Sequence, residues 1–288
     1  MKWEVYLKPC LLHQIRQNNQ QALLMSNKAM PLLNKNLNFK TITHGFFTRK
    51  GGFSNKNNSS LNCSFNTNDT ILNIKNNRKL VCDYHKLNIE NLKTVKQVHS
   101  NKVLTINNLE QKTNEIEADA LVTNQPNLIL GILTADCAPV LAFDPINKII
   151  AAIHIGWKGA IKNILSNTID TFIAMNANTQ NIKLAIGPCI GPMSYEVKND
   201  FYDNFLKINI KNKKYFTNLN SNKLRFNLPE YIHDEALNKG VLNKNISNLK
   251  RDTFIEKEMF FSFRRNYVKN IGDCGRMIST ISINKKND

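Results

Sequence analysis

Residues 132–159 read ILTADCAPVLAFDPINKIIAAIHIGWKG, and the fold turns on how this stretch is read. Two apolar runs dominate it and its approach, Leu128–Thr134 and Ile149–Ile155. Runs this short and this uniformly apolar read as strands buried on both faces. The first leads to Asp136 and Cys137; the second carries His154 and then Gly156-Trp157-Lys158-Gly159. Two such strands can bring a Cys and a His together despite their separation in the chain, and strands hold reactive groups more rigidly than loops do.

Working outward, Ala160–Met175 places Ile161, Ile164, Leu165, Ile169, Phe172 and Ile173 at helical spacing. The order is therefore strand, Gly-Trp-Lys-Gly, helix, and the helix N-terminus suits an anion. Ile182–Ile186 is a further buried strand, followed by a sharp turn over Gly187–Pro192. Glu196–Ile208 and Leu228–Asn238 read as amphipathic helices, with Lys207–Lys223 as a polar surface insertion. Phe260–Arg265 joins aromatic bulk to two guanidiniums, and Arg276–Ile283 is a closing strand. Upstream, Thr41–Thr48 is a strand that runs into Arg49 and the tight turn Gly51-Gly52. Leu72–Lys86 is a helix, Thr94–His99 an alternating strand ending on His99, and Lys102–Ile106 and Ala120–Thr123 are short strands.

A chain of 288 residues can build a sizeable core. With no Gly-, Pro- or Ser-rich linker and no internal repeat, one catalytic domain is expected over 37–288, of the α/β class. Residues 1–36 are polar and Gln/Asn-rich and read as a loosely ordered extension, with Met30 as an alternative start. No apolar stretch is long enough to span a bilayer, and Glu4 and Lys8 interrupt any signal-peptide core. The six cysteines form no CxxC pair and are expected as reduced thiols in the cytoplasm. The net charge of +17 is spread as Lys among Asn, with no nucleic-acid-binding motif. It fits solvated surface and anionic substrates better than a specific nucleic-acid partner.

His99, Cys137 and His154 each close a predicted strand. Two imidazoles and a thiolate suit zinc and leave a fourth position for water or substrate, the catalytic arrangement. Asp136, Trp157 and Lys158 stand beside them. A competing chemistry uses Cys137 as nucleophile and His154 as base, without metal.

The ordered motifs resemble the laccase-domain family, labelled polyphenol oxidase and later purine nucleoside phosphorylase. They are His44–Arg49 with Gly51–Ser54, Ser60-Leu61-Asn62, Gln97-Val98-His99, Thr134–Pro139, His154–Gly159, Gly187–Gly191 with Tyr195–Val197, Phe260–Arg265 and Gly275–Met277. The resemblance implies a four-layer αββα sandwich (an α+β arrangement) and one metal, most often zinc, on His99, Cys137 and His154. It implies phosphorolysis of adenosine, inosine and methylthioadenosine, with adenosine deamination as a side activity. Cys137, His154 and Asp136 are then the catalytic candidates. Arg49, Asn62, Lys158, Arg264 and Arg265 are the candidates for binding substrate and phosphate, in a monomer or small homo-oligomer.

Copper-dependent phenol oxidation is the family's older label. A multicopper oxidase needs a blue-copper site plus a His-rich cluster, and six histidines, of which His13, His85 and His233 lie outside the motifs, are too few. The family has also been tied to cell-wall editing, which fits a cysteine hydrolase acting on amide bonds of cell-wall precursors. Two residues depart from the pattern. Lys158 stands where the family often has Arg, which keeps the charge and loses the bidentate fork. No Cys lies near Arg251–Thr253, a position outside the ligand set.

Overall fold

The structure, a computed structural model, describes residues 28–285. In chain order the first strands are β1 (Ile42–Phe46), β2 (Leu92–Lys93), β3 (Val103–Thr105), β4 (Ala120–Thr123), β5 (Ile129–Thr134), β6 (Ala138–Asp144) and β7 (Ile149–Ile155). They are followed by β8 (Lys183–Ile186), β9 (Glu196–Val197), β10 (Phe216–Asn220), β11 (Lys223–Phe226), β12 (Ile246–Asn248) and β13 (Met277–Ile283). The helices are α1 (Ile71–Tyr84), α2 (Trp157–Ile161), α3 (Ile164–Ala174), α4 (Asn199–Ile208), α5 (Leu228–Asn238) and α6 (Phe263–Val268).

Two mixed sheets form the centre. One has the order β1-β13-β5-β2 and the other β12-β8-β6-β7-β4-β3. Side chains alternate between faces along a strand, and this sorts the core into layers. Ile149, Ala151, Ile153 and Ile155 of β7 pack with Leu165, Ile169 and Phe172 of α3 and Ile232 and Ala236 of α5. Ile150 and Ala152 join Leu121, Leu141 and Phe143 against Leu130, Ile132 and Ile281 of the other sheet. Leu80, Val81 and Cys82 of α1 cover Ile129 and Ile278 on that sheet's outer face. Helix, sheet, sheet, helix is the expected four-layer αββα sandwich. A small third sheet, β10-β11-β9, lies beside it.

The decisive stretch holds more strand than its two apolar runs suggested. β6 and β7 pair antiparallel as a hairpin, Ala138 opposite Ile155 and Pro139 opposite His154. Cys137 thus precedes its own strand rather than merely trailing β5.

Thr94–His99 is not a strand. The chain pairs with β5 only at Leu92 and Lys93 and then leaves the sheet. The Gln97 side chain takes the vacated place, donating from Nε2 to the Leu133 carbonyl and accepting the Leu133 amide, both at 2.8 Å. A side-chain amide has the donor and acceptor of a peptide group, so the edge is satisfied without further strand.

Three further elements differ from expectation. The single helix over Ala160–Met175 is two helices, and it begins earlier, at Trp157. Asn163, with φ 64°, breaks it in the left-handed region that Asn tolerates. The predicted helix at Glu196 starts only at Asn199, because Glu196 and Val197 pair with β11. The polar insertion over Lys207–Lys223 contains β10, and its Phe216 packs on Phe205 at 5.5 Å and Phe226 at 4.9 Å. Its lysines and asparagines hide the pattern by occupying the solvent side.

Of the expected N-terminal extension, 1–36, the part up to residue 27 lies outside the described residues. In the remainder Ala29 is buried and Leu32 exchanges backbone hydrogen bonds with Phe46 at 2.9 and 3.0 Å. No helix among the described residues is long and apolar enough to cross a membrane.

Candidate metal centre

Cys137 has the same strand parity as Leu141 and Phe143, and His154 the same as Ile150 and Ala152. Both therefore belong to the inter-sheet layer, at its end. His99 arrives from the segment that crosses from β2 in one sheet to β3 in the other. One ligand candidate comes from the crossover and two from the hairpin.

The three donor atoms all lie within 4.8 Å of one another. Cys137 Sγ is 3.7 Å from His99 Nε2, and the two imidazole rings cross at 74° with centroids 4.8 Å apart. Tetrahedral zinc with ordinary bond lengths places S and N ligands about 3.5 Å apart, so the spacing fits. The cradle is also shaped for a ligand. A Cβ on Gly156 would sit 2.7 Å from His99 Cδ2 and 3.0 Å from Cys137 Sγ, so only glycine leaves this space open. Local backbone is strained here: His99 has φ 56° and Asp136 φ 92°.

The carboxylate at the triad is Asp119, one residue before β4. It is fully buried and accepts His154 Nδ1–H at 2.8 Å. It also accepts the His99 amide at 3.0 Å, the Ser100 amide at 2.5 Å and the Ser100 hydroxyl at 2.7 Å. Burial by itself would raise its pKa; the hydrogen bonds from His154 and Ser100 prevail and hold it at about 2. An ionised Asp119 fixes the proton on Nδ1 and turns Nε2 toward the site, the usual partnership behind a ligand histidine. Nothing in the motif reading singled it out. The available signal was a carboxylate between two alanines at the mouth of an apolar strand.

Burial would also raise the Cys137 thiol, but the positive His154 ring and hydrogen bonds from both histidines bring it down to about 6. Burial would lower His154; the Cys137 thiolate and the Asp119 hydrogen bond raise it to about 9. The protein is thus built to hold Cys137 as the thiolate, the form that ligates metal and attacks carbonyls.

Asp136 is adjacent in sequence yet its carboxylate is engaged elsewhere. It accepts the Thr253 hydroxyl at 2.7 Å and the Arg264 amide at 2.6 Å, tying the first turn of α6 to the hairpin. Its buried carboxyl has a raised pKa, burial outweighing those hydrogen bonds.

The remaining predicted residues divide. Arg264 donates to the Glu196 carbonyl at 2.6 Å and lies 5.4 Å from the Tyr195 ring centroid. The Tyr195 hydroxyl feels the Cys137, Arg264 and Asp136 charges and, chiefly by burial, has a raised pKa. The Arg264 amide is bonded to Asp136, the residue next to Cys137, which sets the start of α6 beside the triad. Lys158 follows Gly156 and Trp157 directly and is exposed. Arg49 and Arg265 instead line a separate cavity that contains none of the three ligand candidates. Asn62 is fully buried and holds Thr67 and Asp69 through Nδ2 and the Ser64 and Arg276 amides through Oδ1.

Other donors do not join the triad. His85 lies between Ser282 and Thr280 at 2.7 Å, and His44 accepts the Asn34 amide at 2.9 Å. In a second donor group on α5, Asp234 is taken up by Lys214 and Tyr215 and His233 by Asn243, while Glu230 is exposed. His13 lies outside the described residues. The described histidines supply no His-rich cluster for a multicopper centre.

Residues 43–284 match the family model described as multi-copper polyphenol oxidoreductase laccase. A purine nucleoside phosphorylase of Rickettsia prowazekii is 34% identical over 223 residues, 77% of this chain and 88% of the relative. The purine nucleoside phosphorylase YfiH of Escherichia coli is 30% identical over 234 residues, 81% of this chain and 90% of the relative. The crystal structure of a Bacillus licheniformis hypothetical protein, YfiH, is similar with a TM-score of 0.81 at 28% identity, covering 90% of this chain and 98% of that one.

Proposed function

The chain belongs to the multi-copper polyphenol oxidoreductase laccase family, and from that premise we propose that it is a zinc-dependent purine nucleoside phosphorylase. Curated relatives bear the name of that activity. The observation that carries the reading is the convergence of His99, Cys137 and His154 around a space kept open by Gly156. A metal held there supplies Lewis-acid polarisation of a substrate oxygen. Its identity as zinc rests on the donor set, two imidazoles and one thiolate.

The chain's own groups divide the remaining work. Asp119 orients His154 and keeps its Nδ1 protonated. Phosphate attacks C1′ of the ribose as the bond to the purine breaks, and the base leaves with the electron pair of that bond. In this reading Lys158 and Arg264 hold the attacking phosphate, which their positions support: one flanks the Gly156 cradle and the other flanks Tyr195. Asp136 supports Arg264 indirectly by anchoring the turn that carries it. Adenosine, inosine and methylthioadenosine are the proposed substrates, with adenosine deamination as a second outcome at the same centre. The purified protein should release hypoxanthine from inosine only with phosphate present, lose this on chelation and regain it with zinc. A folded, metal-loaded protein that releases no base from any of the three nucleosides would overturn the reading.

One observation favours a second chemistry. Cys137 as thiolate, His154 beside it and Asp119 behind His154 also form a nucleophile, base and orienting group. A cysteine hydrolase acting on amide bonds of cell-wall precursors would use them so. It would be insensitive to chelators and blocked by a thiol alkylator.

A further inference from the structure

A cavity of about 480 Å3 opens between the turn after β1, the 56–60 loop, the segment before α6 and α6 itself. Six cationic side chains line it, Arg49, Lys50, Lys56, Lys257, Arg265 and Lys269, and Glu258 is the one carboxylate among the lining residues. That carboxylate approaches Lys257 only to 4.0 Å. The two guanidiniums are built into the cavity. Arg265 is buried and donates to the carbonyls of Thr253, Phe254 and Phe260 at 2.7, 3.0 and 2.7 Å. Arg49 donates to the carbonyls of Ser59 and Lys257 at 2.6 and 3.0 Å, and its guanidinium lies 4.7 Å from the Phe261 ring centroid. Burial first, and then the nearby positive charge of Arg265, press Arg49 below its ordinary range.

No carboxylate is bonded to either guanidinium among the described residues, and the repulsion that Arg265 exerts on Arg49 is offset only in part, by Glu258 and Cys274. An anion between them would relieve that repulsion. Arg49 Nη2 and Arg265 Nε donate to no described residue, and guanidinium N–H groups suit phosphate oxygens. The four lysines around them are too many charges for one monophosphate. The rim is held in place by Asn57, whose Nδ2 donates to the Ile271 carbonyl at 2.7 Å. We propose that this cavity binds a di- or triphosphate group at a site separate from the metal centre. It goes beyond the reaction at the triad and does not depend on it.

Calorimetric titration of the full-length, zinc-loaded protein with inorganic pyrophosphate and with ADP tests this. Both should bind saturably. Tighter binding of ADP than of pyrophosphate would assign the site to nucleotides, and equal binding to the polyphosphate group alone. The Lys56→Glu/Lys269→Glu variant should bind at least about tenfold more weakly, the loss of roughly one charge-assisted hydrogen bond. Both lysines are exposed, so an unchanged melting curve is expected alongside. Two controls separate the alternatives. Lys211→Glu/Lys213→Glu makes the same charge change on the turn before β10 and should leave affinity unchanged. Cys137→Ala removes the proposed metal thiolate and should also leave it unchanged, whatever it does to turnover. Absence of saturable binding, equal weakening by the Lys211/Lys213 control, or loss of binding in Cys137→Ala would each overturn the proposal.

Discussion

The Asp119 carboxylate meets the His154 ring at 2.8 Å, and the same two residues are joined again where the His154 amide donates to the Asp119 carbonyl at 2.7 Å. The double link fixes both the ring and its tautomer. Asp119→Asn keeps the shape and removes the charge, and partners of this kind are worth about 10–100-fold in metal affinity. Competition with a chromogenic chelator should show a loss of that size. An unchanged affinity would make the pair purely architectural.

Gly156 predicts a different failure. Its backbone conformation, φ −86° and ψ 169°, is open to any residue, so the restriction is space alone. Gly156→Ala should cost about 1–3 kcal/mol of stability, the usual penalty of overfilling a packed site. It should also empty the centre of metal by pressing on His99 and Cys137. Metal analysis beside a denaturation curve would separate the two effects, and full metal occupancy would contradict the assignment.

Asn62 stands in a motif that resembles a substrate-binding one, yet each polar atom of its side chain is engaged within the protein. Asn62→Ala strands several buried partners and should destabilise the fold by about 3 kcal/mol. If its role is structural, the folded fraction of the variant should retain the wild-type KM for nucleoside. A large rise in KM with normal stability would return Asn62 to the substrate.

Stability should change with pH through two sets of buried groups that act in opposite directions. Burial lowers His44 to about 4, and burial with the neighbouring His44 charge lowers His85 to about 3, against 6.5 in the unfolded chain. Below pH 6.5 the unfolded state binds the extra protons, so stability is present above that pH and drains away as the pH falls toward 4 and 3. Glu235 behaves in reverse. Burial raises it from 4.5 to about 7, so its contribution is complete below 4.5, is lost as the pH rises from 4.5 to about 7, and does not change above that. Each pKa unit is worth about 1.4 kcal/mol at most. Urea midpoints should fall as the pH drops from 6.5 toward 4, and Glu235→Gln, which removes the opposing titration, should steepen that fall. A wild-type acid limb that is flat between pH 6.5 and 4 would contradict the assignment of buried neutral histidines.

Much of the sandwich was legible because burial on both faces leaves an uninterrupted apolar run, as in β5 and β7. β6 was not, since Pro139 and Asp144 bracket a run that looks like connection until its partner is known. The triad was legible as residue types near strand ends, but its reach across layers was not. His99 depends on Gln97 replacing a strand neighbour, and a side-chain amide standing in for a peptide leaves no periodic trace. That Asp119, and not the sequence neighbour Asp136, meets His154 is likewise a matter of tertiary placement. Asp136 is next to the thiol in sequence, while Asp119 reaches His154 only through the pairing of β4 with β7, Ala120 opposite Ile153. Arg49, Lys158, Arg264 and Arg265 looked equivalent as cations; only the folded chain divides them between two places.

The pairing of Gln97 with Leu133 frees the chain from one sheet at the point where it must join the other. His99 then meets Cys137 and His154 across the seam between the sheets. A ligand drawn to all three would act as a stitch through the open end of the sandwich, resisting any slide of one sheet over the other. Losing it would loosen the molecule along that seam first, so the crossover amides of residues 94–102 should be where unoccupied protein begins to exchange its hydrogens.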